Sequence, residues 1–338
     1  MGDTTKQASG SGSDLTPLAN QVAGHPDGVQ SLEGGRLVVK ACLPRELQFY
    51  DEVKQAVAGK AELEARQVEL LGRLLKTMPK CHGSWDQYLG GQSSSTEPTR
   101  EADDSARIVM ENLTFGYEKP NVCDIKLGTQ LWDESASEEK RQRMEKAAAA
   151  TTSGSHGIRL TGWQTYDVET KSYHSVPKAF GKTIKAEHLE LGMRMLLACP
   201  QEGDAEHAET ALVGTSLCVD ASTLRLPSLS DELVEKVLRE HLVKDLEEIH
   251  AIFSEVEVRM RGASLLLVYE GEPSRLSQTL ASGSAVQEAK AQVRVIDFGH
   301  ATIAPGQGPD QGVLLGLSTV LDLARKQLER LESKREGA

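Results

Sequence analysis

Apolar positions fall in short runs and helical stripes along the 338 residues, separated by polar stretches rich in Gly, Ser and Pro. Residues 1–17, rich in Ser, Gly, Thr and Asp, have too little apolar surface to order and are expected to form a disordered tail. Arg36–Cys42 is β-branched and aliphatic and predicts a strand, ended by Pro44. From Arg45 onward, Leu47, Tyr50, Val53 and Val57 recur at helical spacing. Residues 90–104 are low in complexity and predict a surface loop ahead of a strand over Arg107–Met110. Pro200–Thr210 predicts another polar break. After Pro227, Ser228-x-x-Asp231 offers a capping box for a long helix that buries Leu233, Val237, Leu238, Leu242, Leu246, Ile249 and Phe253. Strands over Ala263–Tyr269 and Val293–Phe298 flank an expected loop, Gly271–Ala289, and an amphipathic helix over about Gln311–Leu331 closes the chain. A strand-rich first third before a mixed remainder predicts an α+β fold of two lobes with a cleft between them.

A chain of this length with 39% hydrophobic content can bury one large core or two lobes that share one. Its longest apolar runs, such as Ser264–Tyr269 and Val313–Leu317, fall far short of the roughly 20 residues that span a bilayer. No charged-then-apolar leader opens the chain, and Lys6 stands where a myristoylation pattern needs Ser or Thr, so neither export nor membrane attachment is expected. Cys42, Cys81, Cys123, Cys199 and Cys218 are far apart and form no C-x-x-C pair, which points to reduced thiols in a cytosolic or nuclear setting and to no zinc site. A formal charge of −12 argues against direct nucleic-acid binding. The sign reverses locally. From Lys140 to Lys182, eight basic residues (Lys140, Arg141, Arg143, Lys146, Arg159, Lys171, Lys178, Lys182) face three acids (Glu145, Asp167, Glu169). If residues 133–150 are helical, Lys140 and Arg143 share a face at i, i+3, while Arg141 can pair with Glu145 on another.

The most informative run is Pro120-Asn121-Val122-Cys123-Asp124-Ile125-Lys126-Leu127-Gly128, followed by Ser135-Ala136-Ser137-Glu138-Glu139-Lys140. In an extended segment Asp124 and Lys126 alternate onto one face, so a carboxylate and an ammonium point the same way. This is either a cross-strand ion pair or a setting for a reacting hydroxyl beside an anion. The run resembles the P-x-x-x-D-x-K-x-G signature of the inositol polyphosphate kinase family, and A-S-x-E-K resembles its continuation into a substrate-binding helix. Four more segments resemble family motifs in the family's order. They are Arg45-Glu46-Leu47-Gln48-Phe49-Tyr50, Glu111-Asn112-Leu113-Thr114 at the hinge, Ser264-Leu265-Leu266, and the late metal-binding run Ile296-Asp297-Phe298-Gly299-His300-Ala301. The likeness runs from about residue 20 to 330, and the branch most resembled is the multikinase of fungal type. Trp163-Gln164 after Gly162 departs from the family pattern, which argues against a substrate contact there.

The resemblance implies a two-lobed fold related to protein kinases and ATP-grasp enzymes. It gives a catalytic domain over residues 18–332, between the tail 1–17 and a tail 333–338. An antiparallel-sheet N-lobe covers 18–113 and a mixed α/β C-lobe 114–332, with a helical substrate-binding insert at about 133–152. It also implies an ATP- and Mg²⁺-dependent phosphorylation of a soluble inositol polyphosphate, with inositol 1,4,5-trisphosphate carried to the tetrakis- and pentakisphosphate, in nucleus and cytoplasm. Phosphoryl transfer needs a lysine on the nucleotide phosphates, metal-binding acids and a group that orients the attacking hydroxyl. By resemblance Lys40 takes the phosphates with Glu46 as its ion-pair partner, Asp297 the metal, and Glu111, Asn112, Leu113 and Ser264 the nucleotide. The backbone rather than the side chains of Glu111–Leu113 would hold adenine. Lys126 meets the substrate or the transferring phosphate, and Asp124 serves either the ribose or the reacting hydroxyl. Lys140, Arg143, Lys146, Lys178 and His300 are the expected substrate ligands. A plain solvated basic helix is the alternative for the first three.

Three other readings compete. Asp297-Phe298-Gly299 is a literal D-F-G, but no H-R-D-x-x-x-x-N precedes it and no A-P-E follows, against a protein kinase. A hexakisphosphate kinase shares the same motifs. A scaffold for transcription-regulator partners fits the acidic charge, but has no physical need of Lys40, Asp124, Lys126 and Asp297 together.

Overall fold

The computed structural model describes residues 15–22, 28–90, 106–176, 180–212, 226–281 and 291–337. Within these, strands β1 (Thr16–Pro17), β2 (Val29–Leu32), β3 (Leu37–Cys42), β4 (Cys81–Ser84) and β5 (Ala106–Glu111) form one sheet in the order β1-β2-β3-β5-β4. Strands β6 (Pro120–Leu127), β7 (Ile158–Asp167), β8 (Ser172–Val176), β10 (Ser264–Glu270) and β11 (Ala291–Ile296) form a second, in the order β11-β10-β6-β7-β8. A ribbon pairs β9 (Val258–Met260) with β12 (Ala301–Ile303). Every pairing is antiparallel. The two sheets and their helices give the expected α+β, two-lobed architecture, and β6 lies at the centre of the second sheet. Every residue of β6 except Lys126 is buried, polar Asn121 and Asp124 included.

The helix Pro44–Val57 starts with Pro in its first turn, where a missing N–H costs nothing, and buries Glu46, Phe49, Tyr50, Val53 and Ala56. The buried stripe is rotated from the expected one, so that Val57 is 40% exposed and Ala56 fills its place. Phe298 is fully buried against this helix, stacked on Phe49 at 5.3 Å and edge-on to Tyr50 at 5.4 Å. These rings fasten the segment after β11 to the helix that carries Glu46.

Several expected boundaries move. Thr16 and Pro17 are strand residues paired with Ser31 and Gln30, so the tail cannot extend to 17; residues 1–14 lie outside the described ones, as do 91–105. The break at 200–210 holds the helix Asp204–Leu212, and the loop after Gly271 holds the helix Pro273–Ala281. Leu276 and the buried bidentate pair of Arg194 with Asp204 anchor these helices, tertiary contacts that local polarity does not reveal. The long helix begins at Asp231 with Ser230, not Ser228, as cap, and its Oγ accepts the Leu233 N–H. A π-turn over Leu238–Leu242 inserts one residue of register and keeps Val234, Val237, Leu242, Leu246 and Phe253 on one buried side. The last helix, Gln311–Glu336, is capped by Asp310 and runs through most of the stretch expected as a tail.

That helix crosses the ends of β6 and β7 at backbone distance. Gly157, with φ of 66°, closes the short helix Thr152–His156 in the left-handed region and accepts the Gly128 N–H at 2.7 Å. A Cβ on Gly157 would lie 2.5 Å from the Gly316 nitrogen, and one on Gly316 would lie 2.3 Å from the Gly157 oxygen. Gly157→Ala is therefore expected to destabilise the fold by about 2–4 kcal/mol in urea unfolding, backbone strain and overpacking together. Gly306→Ala, with φ of 76° and nothing within 4 Å of the new Cβ, should lose only about 1 kcal/mol.

Candidate active site

A cleft of about 500 Å³ lies between the two sheets, lined by Val38, Lys40, Glu46, Met110, Glu111, Asn112, Leu113, Val122, Asp124, Arg261, Leu266, Ile296, Asp297 and His300 among others. Lys40 comes from the middle of β3, opposite Ile108 of β5, and its side chain is only 16% exposed. Its Nζ lies 2.9 Å from Glu46 Oε1 and 2.9 Å from Asp297 Oδ1. Lys126 Nζ lies 2.7 Å from Asp297 Oδ2 and donates to the Gly262 carbonyl at 3.0 Å. One carboxylate thus joins a lysine of the first sheet to a lysine of the second. Asp297 itself sits at φ 67°, a left-handed backbone that costs a non-glycine residue about 1 kcal/mol and clusters at functional sites.

Burial acts against all three charges, and their mutual attraction wins. It pushes the Asp297 carboxyl upward, but the Lys40 and Lys126 ammonium groups hold it well below the usual carboxylate range. It pulls both lysines down, yet Asp297, with Glu46 for Lys40 and Asp124 for Lys126, raises them above an ordinary lysine. Asp124 behaves oppositely. Its residue is 4% exposed, and burial raises its pKa against the opposing charge of Lys126.

Asp124 and Lys126 do share a face of β6, as their spacing predicts, and β7 adds a feature that spacing could not show. Lys126 pairs with Arg159 and Ile125 with Leu160, but Asp124 pairs with Gly162, one residue beyond the regular register. The bulge places a residue without a side chain opposite the carboxylate. Trp163 is 1% exposed and Gln164 bonds Asn20 at 3.0 Å, which accounts for their departure from the family pattern by packing.

At the hinge, Asn112 is spent on the fold: its Nδ2 donates to the Gly35 carbonyl at 2.7 Å and its Oδ1 accepts from Thr114. Glu111 Oε1 accepts the Lys80 N–H. Leu113 packs with Val122 and Val268, beside Leu266 and Ile296, in a small apolar cluster at the end of the cleft nearest the hinge. Ser264 is fully buried and pairs with Lys126 across the strands. Its hydroxyl stands by the Asp124 carboxyl and favours the ionised form against the effect of burial.

Residues 133–137 are not helical; the helix expected on the substrate side is Glu138–Ala149, with Ser137 Oγ accepting the Lys140 N–H. Lys140 is half-buried, whereas Arg143 and Lys146 are exposed. Arg141 does not pair with Glu145. It donates to the carbonyls of Ala136 and Glu134 and lies 4.7 Å over the Trp132 ring, clamping the loop before the helix. His300 lines the cleft and its Nδ1 lies 2.7 Å from Asp133 Oδ2. Lys178 lies outside the described residues.

Sequence reasoning nominated neither Arg159 nor Arg261. Arg159 is half-buried beside Lys126, and burial lowers its pKa against the pull of Asp124. It stood within the basic window, but only the strand register brings it to Lys126. Arg261, 9% exposed, pairs with Asp310 and lies 3.5 Å from Glu134.

The arrangement offers two lysines for anionic oxygens, an ionised carboxylate for a cation and a buried carboxylate for hydroxyls. Comparison with known proteins points the same way. A family model described as inositol polyphosphate kinase matches residues 107–214 and 226–325. The chain is 27% identical to the inositol polyphosphate multikinase of Saccharomyces cerevisiae, over 91% of its own length and 97% of that protein's. It is 29% identical to inositol hexakisphosphate kinase 3 of Mus musculus, over 64% of its own length and 50% of that protein's. The crystal structure of an S. cerevisiae inositol phosphate multikinase in complex with ADP and Mn²⁺ superposes with a TM-score of 0.61 at 26% identity, covering 87% of this chain and all of that one.

The raised pKa of Asp124 has a measurable consequence. A carboxyl whose pKa is raised on folding weakens the fold above its unfolded pKa, neutral pH included. Asp124→Asn is therefore expected to melt at or above the wild-type temperature at pH 7, while losing about 10²-fold or more of its turnover.

Proposed function

This chain belongs to the inositol polyphosphate kinase family, and from that membership and the charges of the cleft we propose that it transfers the γ-phosphoryl group of ATP to hydroxyls of an inositol polyphosphate. The observation that carries the reading is the order of side chains along β6. Val122 meets the apolar hinge cluster, Asp124 follows two residues on, and Lys126 reaches Asp297 two residues further. Successive same-face residues of a strand are about 7 Å apart, so this order matches adenine, ribose and phosphates laid along the cleft. Asp124, buried at the middle of this order, suits the ribose hydroxyls, which favours the nucleotide over the reacting hydroxyl as its partner. Lys40 takes the phosphates nearer the ribose, and Lys126 takes the transferring group or the acceptor's neighbouring phosphate.

The donor set fits a divalent cation. Asp297 is a hard oxygen ligand held ionised at the cleft wall, which Asp124 also lines. Mg²⁺ bound through Asp297 would neutralise charge on the nucleotide phosphates. Until nucleotide arrives, Lys40 and Lys126 keep Asp297 paired, and phosphate oxygens replace it as their partner.

Lys140, Arg143, Lys146 and His300 are the proposed substrate side; Lys178, expected with them from the sequence, lies outside the described residues. The multikinase likeness supports inositol 1,4,5-trisphosphate, carried to the tetrakis- and pentakisphosphate. The likeness to a hexakisphosphate kinase makes hexakisphosphate the second candidate. The four described cysteines are free and buried, which supports a reducing compartment and agrees with an assignment to nucleus and cytoplasm. A role with transcription-regulator partners rests on resemblance to fungal multikinases.

Purified protein with Mg-ATP and a panel of inositol tris- to hexakisphosphates tests the reading. Successive conversion of the trisphosphate to pentakisphosphate is expected, and Asp297→Ala should lower it by about 10³-fold or more. Turnover of hexakisphosphate alone would move the chain to the other branch. Binding of ATP with no turnover of any acceptor would leave a scaffold.

A further inference from the structure

Asp133 stands in the loop between β6 and the helix Glu138–Ala149 and binds in two directions. Its Oδ1 accepts from the Ser135 N–H at 2.9 Å and from the Ser135 hydroxyl, which fixes the turn that leads to the Ser137 cap. Its Oδ2 lies 2.7 Å from His300 Nδ1, three residues beyond Asp297. The Ser135 hydroxyl is the largest influence on the Asp133 carboxyl, and burial opposes it. The Ser135 N–H and the charges of His300 and Lys140 add to the hydroxyl, so the group stays below the usual carboxylate range. The carboxylate therefore joins the loop that starts the basic helix to the segment that carries the metal-binding acid. Arg261 N–H donates to the His300 carbonyl at 3.3 Å, so the backbone on the far side of the ring is also held.

We propose that Asp133 is a positioning residue for acceptor recognition: by engaging Nδ1 it fixes the His300 ring so that Nε2, on the opposite edge, meets a phosphate of the inositol polyphosphate. An imidazole bonded at one nitrogen has its plane and its second nitrogen set by that bond. His300 is 40% exposed at the cleft, and without a partner its ring would sample several orientations, each losing part of a hydrogen bond to the ligand. The same carboxylate sets where the helix bearing Lys140 begins, so ring and helix are registered to each other. The proposal rests on the reading of this cleft as an inositol polyphosphate site.

Calorimetric titration of inositol 1,4,5-trisphosphate into the full chain saturated with ADP and Mg²⁺ tests it, alongside titration of ADP alone. Asp133→Ala and His300→Ala should each weaken trisphosphate binding by about fivefold or more and leave ADP affinity unchanged. The double variant should bind no worse than the weaker single variant, because the two side chains act as one unit. Asp133→Asn keeps an oxygen for the Ser135 N–H, and serves for the same cycle should Asp133→Ala fail to fold. Losses that multiply in the double variant, or an Asp133 variant that binds trisphosphate like the wild type, would overturn the proposal while leaving the kinase reading intact. A wild-type protein that binds ADP but no inositol phosphate would overturn both.

Discussion

Asp297 binds the two halves of the protein through charge. Its two oxygens hold Lys40 of β3 and Lys126 of β6, and Lys40 is in turn held by Glu46 at the start of the helix Pro44–Val57. Loss of one partner of such a set leaves an uncompensated charge, at a cost below that of a fully buried pair because the Asp297 side chain is 35% exposed. The carboxylate can be aimed at both lysines only because its backbone is left-handed, and that conformation survives because the next side chain, Phe298, is locked between Phe49 and Tyr50. Aromatic packing thus holds a strained residue, and the strained residue holds the charges. The same residues that give the cleft its shape leave it ready for phosphate, since two ammonium groups already face one exchangeable carboxylate.

Placement of the acceptor side follows from a second constraint, the close crossing of the last helix over β6 and β7. Gly157 and Gly316 approach so nearly that neither tolerates a side chain, and Gly128, the last residue of the β6 motif, donates its N–H to Gly157. The start of β7 is fixed by this contact, which sets Arg159 against Lys126. The bulge then advances the register by one residue and leaves Gly162 against Asp124. A regular ladder would have put Thr161 there, with a branched side chain beside a carboxylate that needs room for hydroxyl ligands.

Much of this was legible in the sequence because it is local. The strand with Lys40, the alternation of Asp124 and Lys126, the hinge run and Asp297 after an apolar strand depend on short-range patterns, and the structure brings them to one cleft. Contacts between distant segments were not legible. The bulge at Gly162, the burial of Arg159 beside Lys126 and the pairing of Asp133 with His300 are set by strand register and loop path, which no window of sequence contains. The helices Asp204–Leu212 and Pro273–Ala281 escaped for a related reason, since each is anchored by tertiary contacts outside its own turn, such as Arg194 on Asp204, and has polar flanks of its own. Arg141 shows the converse: its i, i+4 neighbour Glu145 suggested a surface pair, but carbonyls and the Trp132 ring compete for it more effectively.

How a chain of net charge −12 can hold a polyanion is answered by where its cations lie. In the inner cleft Lys40, Lys126 and Arg159 are balanced by Glu46, Asp124 and Asp297, three against three, so that region is near neutral before any ligand enters. A nucleotide triphosphate placed there brings an excess of negative charge that these lysines alone do not offset, which is a physical reason for a divalent cation at Asp297. Further cations lie on the helix Glu138–Ala149, where exposed Arg143 and Lys146 and half-buried Lys140 and Arg141 outnumber Glu138, Glu139 and Glu145 by one. At physiological salt, charges more than about 8 Å apart in solvent are largely screened, so the acidic remainder of the surface acts weakly on a phosphate bound at that helix. On the proposed reading two anions are held by different means: the nucleotide by buried lysines and a cation, and the acceptor by individual cations of a helix whose start depends on the Ser137 cap and the loop before it.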